Sequence, residues 1–180
     1  MAEEIILVEH IQAVASKVNT AMQAKGFGYT VKFMYGHPRE IDQRLTEITN
    51  DPNTAGEKFP IIMLFTDITI RKSVTGFYGS ANLFFLIANF TQAQYTAMQR
   101  TDINFKPILH PIKKELIYQL SVYPLFTVDE EITYEETDLY FYGSKVNDKN
   151  QFRDRIDAIQ LSNVSINITE QTNCVITSNL

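Results

Sequence analysis

At 180 residues, the chain has the length of one domain, enough to bury a core without disulfides or structural metals. Its 44% hydrophobic and 21% charged residues are ordinary globular composition. A net charge of −5 argues against general attraction to nucleic acid or an anionic membrane while leaving local basic patches open, and the solitary Cys174 excludes an internal disulfide and reads as a plain free thiol.

Met1-Ala2-Glu3-Glu4 is acidic where a secretory leader is basic, and the apolar patch after it is broken at Glu9-His10, so synthesis in a cytoplasm without export is expected. The longest apolar stretches, 61–65 and 83–88, fall short of the roughly 20 residues a membrane helix needs, so no membrane partner is expected. Without export, the sequons at Asn163 and Asn167 have no consequence.

Along 3–25 the apolar positions Leu7, Ile11, Val14, Val18 and Met22 recur at three- and four-residue steps, the stripe of an amphipathic helix, and Gly26 is placed to end it. Tyr29, Val31, Phe33 and Tyr35 alternate with other residues and predict a strand buried on one face. After Gly36-His37-Pro38, a short helix begun by Pro38 carries Ile41, Leu45 and Ile48 on one side. The run Phe59–Phe65 is apolar on both faces of a pleat, which predicts a strand in the middle of a sheet covered on both sides, with Pro60 at its start.

Residues 67–80 mix Ile68, Ile70, Phe77 and Tyr78 with Arg71, Lys72 and threonines, the pattern of an extended arm or protruding hairpin. It has no evident strand partner of its own, so it is read as a contact between subunits, with Ile68, Ile70, Arg71, Lys72, Phe77 and Tyr78 as interface candidates. Gly76-Phe77-Tyr78-Gly79 lacks the G-K-[ST] and helix start of a phosphate loop. Leu83–Phe90 is a second strand apolar on both faces, predicted to pair with 59–66. A short helix over 91–99 and a stronger one over 107–121 follow, with Ile108, Ile112, Leu116 and Leu120 as its stripe and Pro111 as the cause of a kink or late start. His110, between two prolines and without a second histidine or cysteine at ligand spacing, reads as a structural group and not a metal ligand.

Six acids and no base fall within 129–138; without them the net charge of −5 becomes +1. Two readings of this block stand: a solvated loop or charge-guarded edge strand, and an acidic surface, including Glu130, Glu131, Glu135 and Glu136, for a basic partner or calcium, although the order of ligands does not match the calcium loop D-x-[DN]-x-[DN]-G. Leu139-Tyr140-Phe141-Tyr142 then reads as an edge or interface element, or as core. Ile159, Leu161, Val164, Ile166 and Ile168 predict a closing strand whose change of phase at Ser162-Asn163 implies a bulge. Residues 170–180 are read as a last edge strand or a flexible tail.

No G-x-S-x-G, H-E-x-x-H, C-x-x-C, Walker loop or dinucleotide fingerprint occurs in the sequence. The parts available for a dispersed site are Asp67, Arg71, His37 and His110, and the residues give no reason to expect catalysis, a metal or a cofactor. The fold expected is α+β, a mixed and largely antiparallel sheet flanked by helices in one domain over 1–180, with the arm at 67–80.

The order of these parts, a long N-terminal helix followed by KFPIIMLF (58–65), ANLFFLIANFT (81–91), INFKPILHPIKKELIYQL (103–120) and DRIDAIQLSNVSINI (154–168), resembles neck and tail-completion proteins of tailed bacteriophages. These include tail terminators and head–tail connector rings, among them those of crAss-like phages and related prophages. The resemblance implies a structural virion protein, a ring-forming subunit (hexamer or dodecamer) between portal and tail. Its partners would be further copies of itself and neighbouring connector or tail-tube proteins, with genomic DNA only as cargo through the lumen. A small non-catalytic adaptor of a bacterial cytoplasm and an enzyme with a dispersed site are the alternatives from other classes.

Overall fold

The computed structural model describes residues 2–50, 57–66, 68–72, 78–127, 132–142 and 154–169. Helix α1 (Ala2–Ala24) buries the predicted stripe, with Ile11, Val14, Val18 and Met22 fully inaccessible. It ends in a Schellman motif: the Gly26 N–H donates to the Gln23 carbonyl and the Phe27 N–H to that of Met22, with Gly26 at φ 82°. Strand β1 (Lys32–Gly36) pairs parallel with β2 (Ile61–Phe65), and α2 (Pro38–Asn50) makes the crossover between them. His37 caps α2, its Nδ1 accepting from the Arg39 N–H at 3.2 Å while its own N–H donates to Glu40 Oε2 at 3.1 Å.

Two long antiparallel strands, β4 (Tyr78–Phe90) and β7 (Ile156–Thr169), form the spine of the sheet. On one side of the spine, β2 pairs with the C-terminal half of β4 and β3 (Thr69–Lys72) with its N-terminal half. On the other, β6 (Glu135–Tyr142) pairs with the first half of β7 and β5 (Phe126–Thr127) with its end. The seven-stranded sheet is therefore mixed, its single parallel pair being β1–β2, and the architecture is the α+β one expected. The neighbouring strands predicted at 59–66 and 82–90 pair in register, Leu64 opposite Phe85, and the bulge expected at Ser162-Asn163 is present, with Asn163 at φ 55° and a shift of register opposite Phe84.

The two faces of the sheet are covered differently. Ile62, Leu64, Leu83, Phe85, Ile87, Leu161 and Val164 point to α1 and to α4 (His110–Ser121), forming the larger core. Ile61, Met63, Phe65, Leu86, Ala88 and Ala158 point the other way, where the short α2 contributes Ile41 and Leu45. All five residues of β2 are buried, as its two-faced apolarity requires.

Two expectations are corrected. The segment read as an arm without a partner inside its own subunit has one: Thr69–Lys72 pairs with Gly79–Asn82 of β4, and Ile68 and Ile70 pack against the larger core. Its alternation is that of an edge strand with one face inward. The helix expected over 107–121 starts earlier and in a different winding: α3 (Ala97–Arg100), capped by a box between Thr96 and Gln99, runs into a π-helical segment over Thr101–Leu109 that leads directly into α4. The wider turn, closed by the His110 N–H on the Phe105 carbonyl, carries Pro107 within it and brings Asn104 and Phe105 inward, both buried.

Candidate functional site

A buried polar knot lies where β4, β6, β7 and the π-helical segment meet. Asp157, fully inaccessible, accepts from Asn104 Nδ2 at 2.7 Å, from the Arg100 guanidinium at 3.2 Å and from the Phe141 N–H at 3.0 Å. Arg100 also donates to Thr91 Oγ1 at 2.6 Å and to the carbonyls of Gln92 and Tyr95. Its guanidinium lies 4.7 Å from the centre of the Phe141 ring. Phe141 takes φ 54°, an unusual conformation for a bulky residue, and these two contacts hold it there. Asn104 is satisfied in turn by Asn89 at 2.8 Å and by the Phe90 carbonyl at 3.2 Å. A charge pair with every donor engaged and the carboxylate sealed from solvent orients backbone; it is placed to fix the bend of β6, not to receive a substrate.

Outside this knot, a second cluster sits at the β6 edge. His110, Glu136 and Asp138 bring one ligand-type atom each within 4.8 Å of one another. His110 Nδ1 is 3.9 Å from Glu136 Oε1, and Lys113 Nζ is 2.8 Å from both carboxylate oxygens of Glu136. The partners of His110 were not legible in the sequence, being 26 and 28 residues further along the chain and brought alongside only by strand pairing. His37 and Arg71 are not part of this group: His37 caps α2, which lies on the opposite face of the sheet, and Arg71 is exposed on β3 beyond β4. Asp67 lies outside the described residues.

On the second face, beside the start of α2, a cleft of about 410 Å³ is lined by Phe65, Phe84 and Tyr142 and by the neutral side chains of Thr69, Asn82, Gln160 and Asn163, with Pro38 and Leu83. Tyr142 is the one titratable group among these lining residues, and burial pushes its phenol above the ordinary value. Aromatic surface ringed by amides and a hydroxyl suits hydrogen-bonded contact; the lining pairs no nucleophile with a base.

The interface candidates divide by where they fall. Ile68 and Ile70 are half-buried against the core of their own subunit, so their apolar surface is spent there. Arg71 projects into solvent from β3, and Lys72 and Tyr78 are β3 and β4 positions in the same hairpin. Glu135 and Glu136 lie on β6, with Ser162 Oγ donating to Glu135 at 3.5 Å. Phe77, Glu130 and Glu131 fall outside the described residues. Thus Arg71 and Lys72 stand on the sheet edge beyond β4, and Glu135, Glu136 and Asp138 on the edge beyond β7. The spine of β4 and β7 lies between these two edge strands.

Compared with known families and with curated proteins, the chain matches no family model and no curated protein. No helix among the described residues is long and apolar enough to cross a membrane.

Proposed function

We propose that the chain is a structural virion protein: a ring-forming component of a bacteriophage neck, head–tail connector or tail terminator that joins portal or connector to tail. Beside the sequence resemblance, one observation carries this reading, the opposite charge of the two sheet edges. A closed ring of identical subunits needs a heterologous contact, in which one surface of each copy meets a different surface of the next. The edge strand on which Arg71 is exposed and the edge strand that carries Glu135, Glu136 and Asp138 supply two such surfaces. Complementary charge of this kind steers encounter and fixes orientation more than it adds affinity.

In this reading the partners are further copies of the chain, in a hexamer or dodecamer, and the connector or tail-tube proteins above and below. DNA passes through the lumen as cargo, and the protein resides in the virion neck or tail. Native mass measurement with particle imaging tests it, on the chain alone and mixed with portal or connector protein. Closed rings of one order are expected in at least one condition. A monomer in both conditions, at concentrations where neck components assemble, removes the reading.

A further inference from the structure

The cluster at the β6 edge differs from an ordinary acidic patch in its donors and in what already occupies it. One ligand atom is an imidazole nitrogen and two are carboxylate oxygens, all within 4.8 Å of one another. Glu136 and Asp138 are two residues apart on one strand, so both project from the same face of β6. The His110 ring comes from the other side, at the first turn of α4, and packs 6.0 Å from the Phe105 ring, which limits its rotation. One of the two carboxylates already holds a positive charge: Lys113 Nζ lies 2.8 Å from each oxygen of Glu136. One ligand of the cluster is thus already engaged by a cation, a side-chain ammonium.

We infer that His110, Glu136 and Asp138 form a binding site for one divalent transition-metal cation, Zn²⁺ above all, with Lys113 as the internal counter-ion that the metal displaces. Bonds of about 2.0–2.2 Å from nitrogen and oxygen require the three atoms to draw slightly closer together, which side chains at an open edge can do. A nitrogen with two carboxylates suits zinc or manganese; calcium takes oxygen ligands and gains nothing from the imidazole. Three protein ligands leave at least one position for water or for a group from another molecule. The exposure of the site, 39% for the His110 side chain, gives an ion direct entry. Lys113 sits on a four-carbon stem long enough to swing out into the neighbouring cleft, which it lines with Lys114, Ile117 and Tyr134. This inference shares Glu136 and Asp138 with the acidic edge of the ring reading but does not depend on that reading, since a monomer would hold the ion equally well.

The test is calorimetric titration of Zn²⁺ into the chelator-stripped chain in a Cys174→Ser background, which removes the lone thiol as a competing ligand. One saturable site per chain is expected. His110→Ala and Asp138→Asn should each weaken it by about tenfold or more, and Lys113→Met should tighten it by removing the competing charge. Ca²⁺ should bind more weakly than Zn²⁺. Because His110 and Asp138 are accessible, both variants should melt as the parent does in chelator; if His110→Ala does not, Asp138→Asn decides alone. The absence of a saturable site, variants that titrate like the parent, or Ca²⁺ binding as tight as Zn²⁺ would each overturn the assignment.

Discussion

The two halves of the β4–β7 ribbon are built from the same pairing and do different work. The half formed by 85–88 with 156–161 has side chains buried on both faces, between the α1–α4 layer and α2. Beyond the bulge at Asn163, the half formed by 79–83 with 164–167 is buried on one face through Ala81, Leu83, Val164 and Ile166. Its other face presents Ser80, Asn82, Ser165 and Asn167, all partly accessible. The first half sets stability. The second is a surface, and it is flanked by the Arg71 edge strand and the neutral cleft.

Substitution within the buried half should cost the most. Asp157→Ala removes the acceptor shared by Arg100, Asn104 and the Phe141 N–H and leaves a guanidinium buried without its counter-charge, for an expected loss of about 3–5 kcal/mol. Leu64→Ala and Phe85→Ala, opposite each other in register, should each cost about 2–5 kcal/mol by opening a cavity. Denaturant midpoints measure all three. On the open face of the second half, Asn82→Ala and Ser165→Ala should stay within about 0.5 kcal/mol. Equal costs in the two halves would mean that the open face is covered after all.

How much of this contrast was readable beforehand depends on what periodicity encodes. Two-faced apolarity marked β2 and the buried half of β4, and the change of phase at Ser162-Asn163 marked the bulge, because burial of alternate residues is written directly into the sequence. The helical stripes of α1 and α4 were legible for the same reason. Partnership was not. Alternation over 67–80 allowed an arm or a protruding hairpin without deciding that Thr69–Lys72 pairs with β4, and nothing near Asp157 announces Arg100, 57 residues earlier. Periodicity reports which face is buried, while the meeting of particular side chains is fixed by register and topology. The same limit hid the companions of His110. The π-helical winding was missed because two prolines four residues apart signal only that regular α geometry is disturbed.

A smaller effect in stability, but the sharper one for assembly, concerns the two sheet edges. Arg71→Glu should leave the unfolding free energy within about 0.5 kcal/mol of the parent, since Arg71 is a surface group, and separately Glu135→Lys with Glu136→Lys should cost about 1 kcal/mol, since Glu136 pairs with Lys113. Neither variant alone should form rings, because the first no longer offers a basic edge and the second no longer offers an acidic one. Mixed in equal amounts they should assemble again, each acidic edge meeting a basic one, and the recovery should weaken as salt is added. Rings formed by either variant alone would show that these edges are not the contact, while leaving a ring built by other surfaces standing.

A modest, pH-dependent effect probes the layer that covers the open half's single buried face. Glu115 of α4 is buried and accepts from Lys25, just past the end of α1, and from Gln119 at 2.7 Å. Burial pushes its carboxyl up, but the hydrogen bonds from Gln119 and Lys25 and the charge of Lys25 together outweigh burial and hold it below its ordinary range. A carboxyl with a lowered folded-state pKa contributes stability that is present above its unfolded pKa and is lost as pH falls through the lowered value. Lys25 is more than half exposed, at 56%, so solvent screens much of the attraction and the contribution is modest. Lys25→Met should therefore cost about 1 kcal/mol at neutral pH, and the cost should shrink as pH falls, the two stability profiles converging once Glu115 is protonated in both proteins. Profiles that stay parallel down to that pH would mean that Lys25 holds α1 to α4 by packing of its stem and not by its charge.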